Sequence, residues 1–212
     1  MKKIIYGLFF GDSITYGEYD GVFGGWVDIL KRYALQNFPE SNNELILFNL
    51  GIGGETSADF LKRINPEMSA RNSAEKNVIF LGYGANDLAM KEGAFLVNEE
   101  DFKKNMSEAV ARAQLFSNDI FLVNILPFSK YIDGVESPNG KLRTNENVLI
   151  YNQILEDIAT EYSIGFVDFY SALCENKEIF LSKDGVHPNE KGYEAMAYIL
   201  KPLMDKFIRM TL

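Results

Sequence analysis

The residues that build metal and disulfide sites are almost missing: the 212-residue chain has one cysteine, Cys174, and one histidine, His187. A lone cysteine excludes an internal disulfide, and one cysteine with one histidine cannot furnish a zinc site of the usual nitrogen and sulfur type, so no metal or organic cofactor is expected. Excess positive charge is missing as well. Lys and Arg number 21 against 30 Asp and Glu, a net charge of −9. A nucleic acid or an anionic membrane is therefore a poor partner, because phosphate binding needs a basic surface. No stretch approaches the roughly 20 consecutive apolar residues of a membrane span, and no stable membrane association is expected. The start of the chain, Lys2-Lys3 followed by Ile4-Ile5-Tyr6-Gly7-Leu8-Phe9-Phe10, imitates a leader. Its apolar run is at the lower limit of the about 7 to 15 residues required, and no small-residue cleavage site follows. It reads as a buried first strand, in a chain expected to stay in the cytoplasm, which the scarcity of cysteine fits. Repeats and low-complexity linkers are also lacking, and the length suits one domain over residues 1–212.

What is present is a core. Hydrophobic residues make up 47% of the chain and aromatic ones 13%, which excludes disordered and fibrous classes. Short apolar runs at 4–10, 45–49, 77–81, 120–125 and 165–169 read as strands covered on both faces. Helical spacing occupies 26–38, 99–116, 145–162 and 191–209, the last with Pro202 expected to bend or split it. This alternation predicts an α/β fold on a five-stranded parallel sheet. A long irregular stretch, 127–143, is of the length that carries function in compact domains.

In such folds ligands bind beyond the carboxyl ends of the strands. The segments there are Gly11-Asp12-Ser13, Gly51-Ile52-Gly53-Gly54-Glu55-Thr56 and Gly84-Ala85-Asn86-Asp87, joined by Asp184-Gly185-Val186-His187-Pro188-Asn189 before the last helix. Ser13 at a strand-to-loop turn is a candidate nucleophile, although Asp-Ser there is more often a turn or a cap. His187 is the one side chain suited to moving a proton near neutrality, and Asp184, three residues earlier, is placed to fix its tautomer. The plainer alternative makes these residues the entry of a helix. The Ser13 and Gly54 amides and the Asn86 side chain are candidate donors to an oxyanion. A phosphate cradle fits poorly, since the glycine segment lacks the final glycine of G-x-G-x-x-G and has no Gly-Lys-Ser/Thr.

Taken in order, these blocks resemble the SGNH hydrolases, also called GDSL esterases and lipases. Gly11-Asp12-Ser13 is similar to the block carrying the family nucleophile, with Ile14 where leucine gives the family its name. Asn49 to Thr56 looks like the second block, with Gly54 the best match for the oxyanion glycine and Gly53 the register alternative. Gly84-Ala85-Asn86-Asp87 is similar to G-x-N-D, and Asp184 to Pro188 matches D-x-x-H-P. The resemblance implies a flavodoxin-like three-layer α/β/α sandwich. It also implies a serine hydrolase with Ser13 as nucleophile, His187 as base and Asp184 as acid, acting on a small-molecule ester or thioester. The substrate is expected to be a short acyl chain on a soluble alcohol, sugar or thiol. Tyr83, Phe128 and Tyr131, with Asp12, are the candidate substrate contacts, and Tyr16, Tyr19, Phe23 and Trp26 are further aromatics near the first block. Asp12 and Asp87 read also as scaffold, bonding loop amides, and Cys174 as a buried small hydrophobe. Two other functions fit the same chain: an acyltransferase, and a non-catalytic carbohydrate-binding module. Neither motif nor composition reports an oligomeric state.

Overall fold

The structure, a computed structural model, describes residues 2–72 and 75–211. In chain order the elements begin with β1 (Lys3–Gly11), the single turn α1 (Ser13–Tyr16), α2 (Trp26–Asn37), β2 (Asn43–Gly51), α3 (Ser57–Ala70) and β3 (Lys76–Gly82). Two short strands follow, β4 (Met90–Lys91) and β5 (Ala94–Phe95), then α4 (Glu99–Ala113), β6 (Asp119–Val123) and β7 (Lys141–Leu142). The chain closes with α5 (Asn145–Glu161), β8 (Gly165–Val167), α6 (Phe169–Leu173), α7 (Lys177–Phe180) and α8 (Glu190–Arg209).

Five strands form one parallel sheet in the order β2-β1-β3-β6-β8. Side chains of a strand alternate between faces, and here both faces are apolar because helices cover both. From β1, Leu8 and Phe10 enter the core beneath α3, α4 and α5, while Ile5 and Phe9 enter the core beneath α2 and α8. The neighbouring β3 divides in the same way, Ile79 and Leu81 against Val78 and Phe80. This double burial is why the strands read as continuous apolar runs rather than as alternating ones. The chain steps from β1 outward to β2 and returns to the other side of β1 for β3. The order therefore reverses at β1 and β3, and such a reversal opens a crevice at the carboxyl ends of those strands.

The three-layer α/β architecture and the five-strand sheet match the expectation; several details differ. Helix α3 was not expected. Thr56 and Asp59 form a reciprocal cap at its start, but Pro66 sits inside it, a residue that usually ends a helix. Pro66 is exposed and so is Lys62, the residue whose carbonyl loses its partner, so the missing bond lies on the solvent side of the helix rather than in the core. The same reason bears on Pro202, which does not split the last helix: α8 runs unbroken from Glu190 to Arg209, with Pro202 and Tyr198 both on its outer face. Strand β8 stops at Val167 because Asp168 turns outward to accept from the Ser171 amide, while Asn124 accepts from the amides of Phe169 and Tyr170. The stretch 127–143 is not wholly irregular: β7 within it pairs with β4, building a small antiparallel sheet β5-β4-β7 beside the carboxyl ends of the main strands.

Candidate active site

Ser13 opens the turn that follows β1. Asp12 Oδ1 accepts from the Ile14 amide at 2.9 Å and Asp12 O from the Tyr16 amide at 3.0 Å, so the serine is held at a capped start, and it is buried. His187 arrives from the other end of the chain on a turn that is braced along its length. The Ser182 amide donates to His187 O at 2.7 Å, and Asp184 Oδ1 accepts from the amides of Val186 and His187, each at 3.1 Å. Asn189 then caps α8, accepting from the Lys191 and Gly192 amides. With the backbone fixed, Asp184 Oδ2 accepts from His187 Nδ1 at 2.5 Å, and the Ser13 hydroxyl lies 2.7 Å from Nε2. A proton held on Nδ1 by a carboxylate leaves the Nε2 lone pair for the hydroxyl. Burial raises the Asp184 carboxyl, but the His187 bond and the two amides outweigh it and hold the group below its ordinary value.

Asn86 comes from the loop after β3, on the neighbouring strand. Its Nδ2 donates to Glu55 O at 3.2 Å and makes only a long 3.5 Å contact with Asp12 Oδ2, so one of its two hydrogens is weakly engaged. Its orientation is set by Arg143, whose Nη2 donates to Asn86 Oδ1 at 3.3 Å and whose Nε donates to Ala85 O at 3.0 Å. Burial pushes the Asp12 carboxyl beneath these groups up to about 6. Ser13, Gly54, Asn86, Asp184 and His187 all line one cleft of about 480 Å³, together with Glu18, Tyr19, Lys141 and Arg143. Gly53 instead lies against Ser13 and Glu18. Among the described residues no three His, Cys, Asp or Glu side chains gather as a cation cage.

The structure places most of the candidate aromatics away from the cleft, Trp26 among them, for which packing between helices is the simpler reading of the sequence. Phe128 is fully buried in the core beneath the Arg143 guanidinium, and Tyr83 is buried with its hydroxyl donating to Glu55 Oε2 at 2.7 Å. Phe128 underlies Arg143, which lines the cleft, whereas Tyr83 bonds Glu55, whose carbonyl accepts from Asn86; neither aromatic lines the cleft itself. Glu55 is in turn held by Arg63, whose Nε donates to Oε1 at 2.6 Å. Tyr131 is 72% exposed, under the Lys130 amine, and does not line the cleft. Trp26 packs between Phe9 and Phe169, Tyr16 is exposed outside the cleft, and Phe23 lies under Arg32. Of these aromatics only Tyr19 meets the site, its ring 5.1 Å from the His187 imidazole. Cys174 is half-buried rather than buried. Asp87 accepts from the Ser57 amide at 2.9 Å and hydroxyl at 2.5 Å, a scaffold position. Arg143 and Glu18, whose Oε2 lies 4.0 Å from His187 Nε2, were not found from the sequence. Each is a charged residue in a variable loop with no motif around it, and only its place in the fold marks it.

The chain is similar to the spore germination lipase LipC of Bacillus licheniformis, 24% identical over 204 residues that cover 90% of this chain and 92% of that protein. Its fold is shared with a lipase/acylhydrolase from Enterococcus faecalis, at a TM-score of 0.78 and 22% identity over 100% of both chains. It is shared also with a variant of an acetyl xylan esterase from Geobacillus stearothermophilus, at a TM-score of 0.73 and 23% identity over 98% of this chain and 96% of that one. Residues 9–195 match the model of the GDSL-like lipase/acylhydrolase family, and the chain belongs to that family of carboxylic ester hydrolases.

Proposed function

We propose that the protein hydrolyses short-chain carboxylic esters of a small soluble alcohol or sugar through an acyl-enzyme on Ser13. The observation that carries this reading is the unbroken line from Ser13 Oγ to His187 Nε2 at 2.7 Å and from His187 Nδ1 to Asp184 at 2.5 Å, beside the Asn86 amide. His187 takes the Ser13 proton as Oγ attacks the carbonyl carbon, and Asp184 stabilises the imidazolium that forms. The developing oxyanion is met by the amides of Ser13 and Gly54 and by the weakly engaged hydrogen of Asn86 Nδ2, donors in place before the reaction begins. His187 then protonates the leaving alcohol. Water, activated by the same imidazole, attacks the acyl-enzyme and frees the acid and Ser13. Short acyl chains are favoured because Ser137, Asn139, Lys141 and Arg143 line the cleft together with the catalytic group, and a long alkyl chain laid along it would desolvate these polar side chains. The structural likeness to an acetyl xylan esterase supports an acetylated sugar as one substrate type.

The test is a series of model esters of graded acyl length with acetylated sugars, run on the parent and on Ser13→Ala and His187→Ala, with labelling by a serine-reactive phosphonate. Either substitution is expected to lower kcat by on the order of 10⁴-fold or more, and the label is expected on Ser13. Turnover that survives either substitution overturns the assignment.

A further inference from the structure

The cleft holds two cations, Lys141 and Arg143, that form no ion pair within 4.0 Å among the described residues. In the small sheet, Lys91 of β4 stands directly opposite Lys141 of β7. Directly opposed like charges destabilise an antiparallel pair. Arg143 follows two residues later and lines the cleft with Lys141. Lys141 and Arg143 are half-buried, yet no carboxylate lies within 4.0 Å of Lys91, Lys141 or Arg143 among the ion pairs of the described residues. Arg143 spends its two bonds on neutral acceptors, Ala85 O and Asn86 Oδ1. Burial pulls the Lys141 amine below its ordinary value, and Arg143 and Lys91 pull it further. In a chain of net charge −9, acidic partners are abundant elsewhere. Three carboxylates line the cleft: Asp184 bonds Nδ1 of the imidazole and Glu18 faces its Nε2, while Asp12 and Asp184 act on Arg143 from beyond ion-pair distance, and none is paired with Lys141. Half-buried cations without a partner are costly, and a bound anion would remove that cost.

We propose that this cleft selects esters that also carry a carboxylate, bound by Lys141 with Arg143 and Lys91 adding to the local positive field. The inference rests on the ester-hydrolase reading above and narrows its substrate class. The carboxylate has two chemical sources. It belongs to the alcohol portion in an acetylated hydroxy acid, or to the acyl portion in a half-ester of a dicarboxylic acid.

Two shape-matched pairs, each an anion against its neutral amide, separate these sources: O-acetyl-lactate against O-acetyl-lactamide, and monomethyl succinate against methyl succinamate. The expected result is a ratio of kcat/KM, anionic over neutral, of about tenfold or more in one pair at low ionic strength. That ratio should fall as salt screens the field, drop toward one in Lys141→Gln, invert in Lys141→Glu and persist in Lys141→Arg. The ratio is internal to each variant, so a general loss of activity or stability does not imitate it. Turnover of the neutral esters with a ratio near one in both pairs, or a ratio unmoved by Lys141→Gln, overturns the carboxylate assignment alone. No turnover of any of the four esters, with Ser13 unlabelled by the phosphonate, overturns the hydrolase reading and this inference with it.

Discussion

Asn86 shows how a single side chain acquires a task from its surroundings. A primary amide presents an acceptor and a donor end with the same shape, and only the hydrogen bonds it makes decide which end faces a ligand. Here the Arg143 guanidinium occupies Oδ1 and the Glu55 carbonyl takes one Nδ2 hydrogen, which turns the other toward Asp12 at a long 3.5 Å. A donor held in this way loses little in the ground state and gains when charge develops beside it. Asn86→Ala is therefore expected to lower kcat by roughly 10²- to 10³-fold, with a much smaller change in KM. Steady-state kinetics on a short acyl ester read both values. An equal rise in KM at unchanged kcat would mean that Asn86 binds the substrate rather than the transition state. At this scale Ser13, Asn86, Asp184 and His187 were legible because each lies in a short block with its own chemistry. Arg143 was not, since nothing near it in the chain distinguishes a loop arginine that orients an amide from one that is merely solvated.

Among the elements, the turn that carries Ser13 depends on how closely β2 comes to it. A Cβ built on Gly51 would sit 2.2 Å from the Tyr16 amide nitrogen, 2.7 Å from Tyr16 Cα and 2.8 Å from Asp12 O. All three are backbone atoms, so no rotamer change relieves the collision. Gly51→Ala must displace either the end of β2 or the α1 turn. Overpacking of this kind costs roughly 1–3 kcal/mol, so the thermal midpoint should fall by about 5 °C. A parallel fall in kcat is expected because Ser13 moves with the turn. Gly21→Ala is the control: a Cβ there meets nothing within 4 Å, and its midpoint should stay within about 1 °C of the parent. If Gly51→Ala unfolds no earlier than Gly21→Ala, the close approach is not a constraint on the fold. The strands β1, β2 and β3 were readable as apolar runs because both their faces are buried. Helix α3 was missed because an internal proline is a stop signal in sequence, and only the exposure of Pro66 and Lys62 shows why it is tolerated.

For the whole molecule, the balance of buried carboxyls governs how stability depends on pH. Burial pushes Asp87 from its ordinary value of 3.8 up to about 6, against the pull of its Ser57 bonds, and one of its oxygens has no hydrogen-bond partner among the described residues. An acid raised by folding binds its proton more tightly in the folded state. Its contribution to stability is complete below 3.8 and is lost as pH rises through about 6. Asp168 and Asp184 act with the opposite sign: their bonds outweigh burial and lower them, so their contribution is present above the ordinary carboxylate range and lost in acid. Asp87→Asn keeps an acceptor for Ser57 and removes the charge. It is expected to match the parent in stability near about pH 4 and to exceed it near about pH 8, by as much as about 3 kcal/mol, with the thermal midpoint rising accordingly. Midpoints measured across that range check it, and a deficit at the alkaline end would show that the ionised carboxylate is stabilising.

Alone, the sequence determined the class of fold and the order of its blocks. Strand runs buried on both faces, helical spacing between them and glycine-rich strand ends are local patterns, set by which atoms each residue hides and which backbone angles it permits. The tertiary structure decided what those blocks meet. Ser13 and His187 are 174 positions apart and come within 2.7 Å because the strand order reverses at β1 and because α8 begins beside that reversal. The same packing sank Phe128 and Tyr83 away from the cleft and brought Arg143 and Lys141 to its wall. Whether a loop residue is covered or left at a cleft wall depends on distant segments packing against it, and no window of neighbouring residues contains that information.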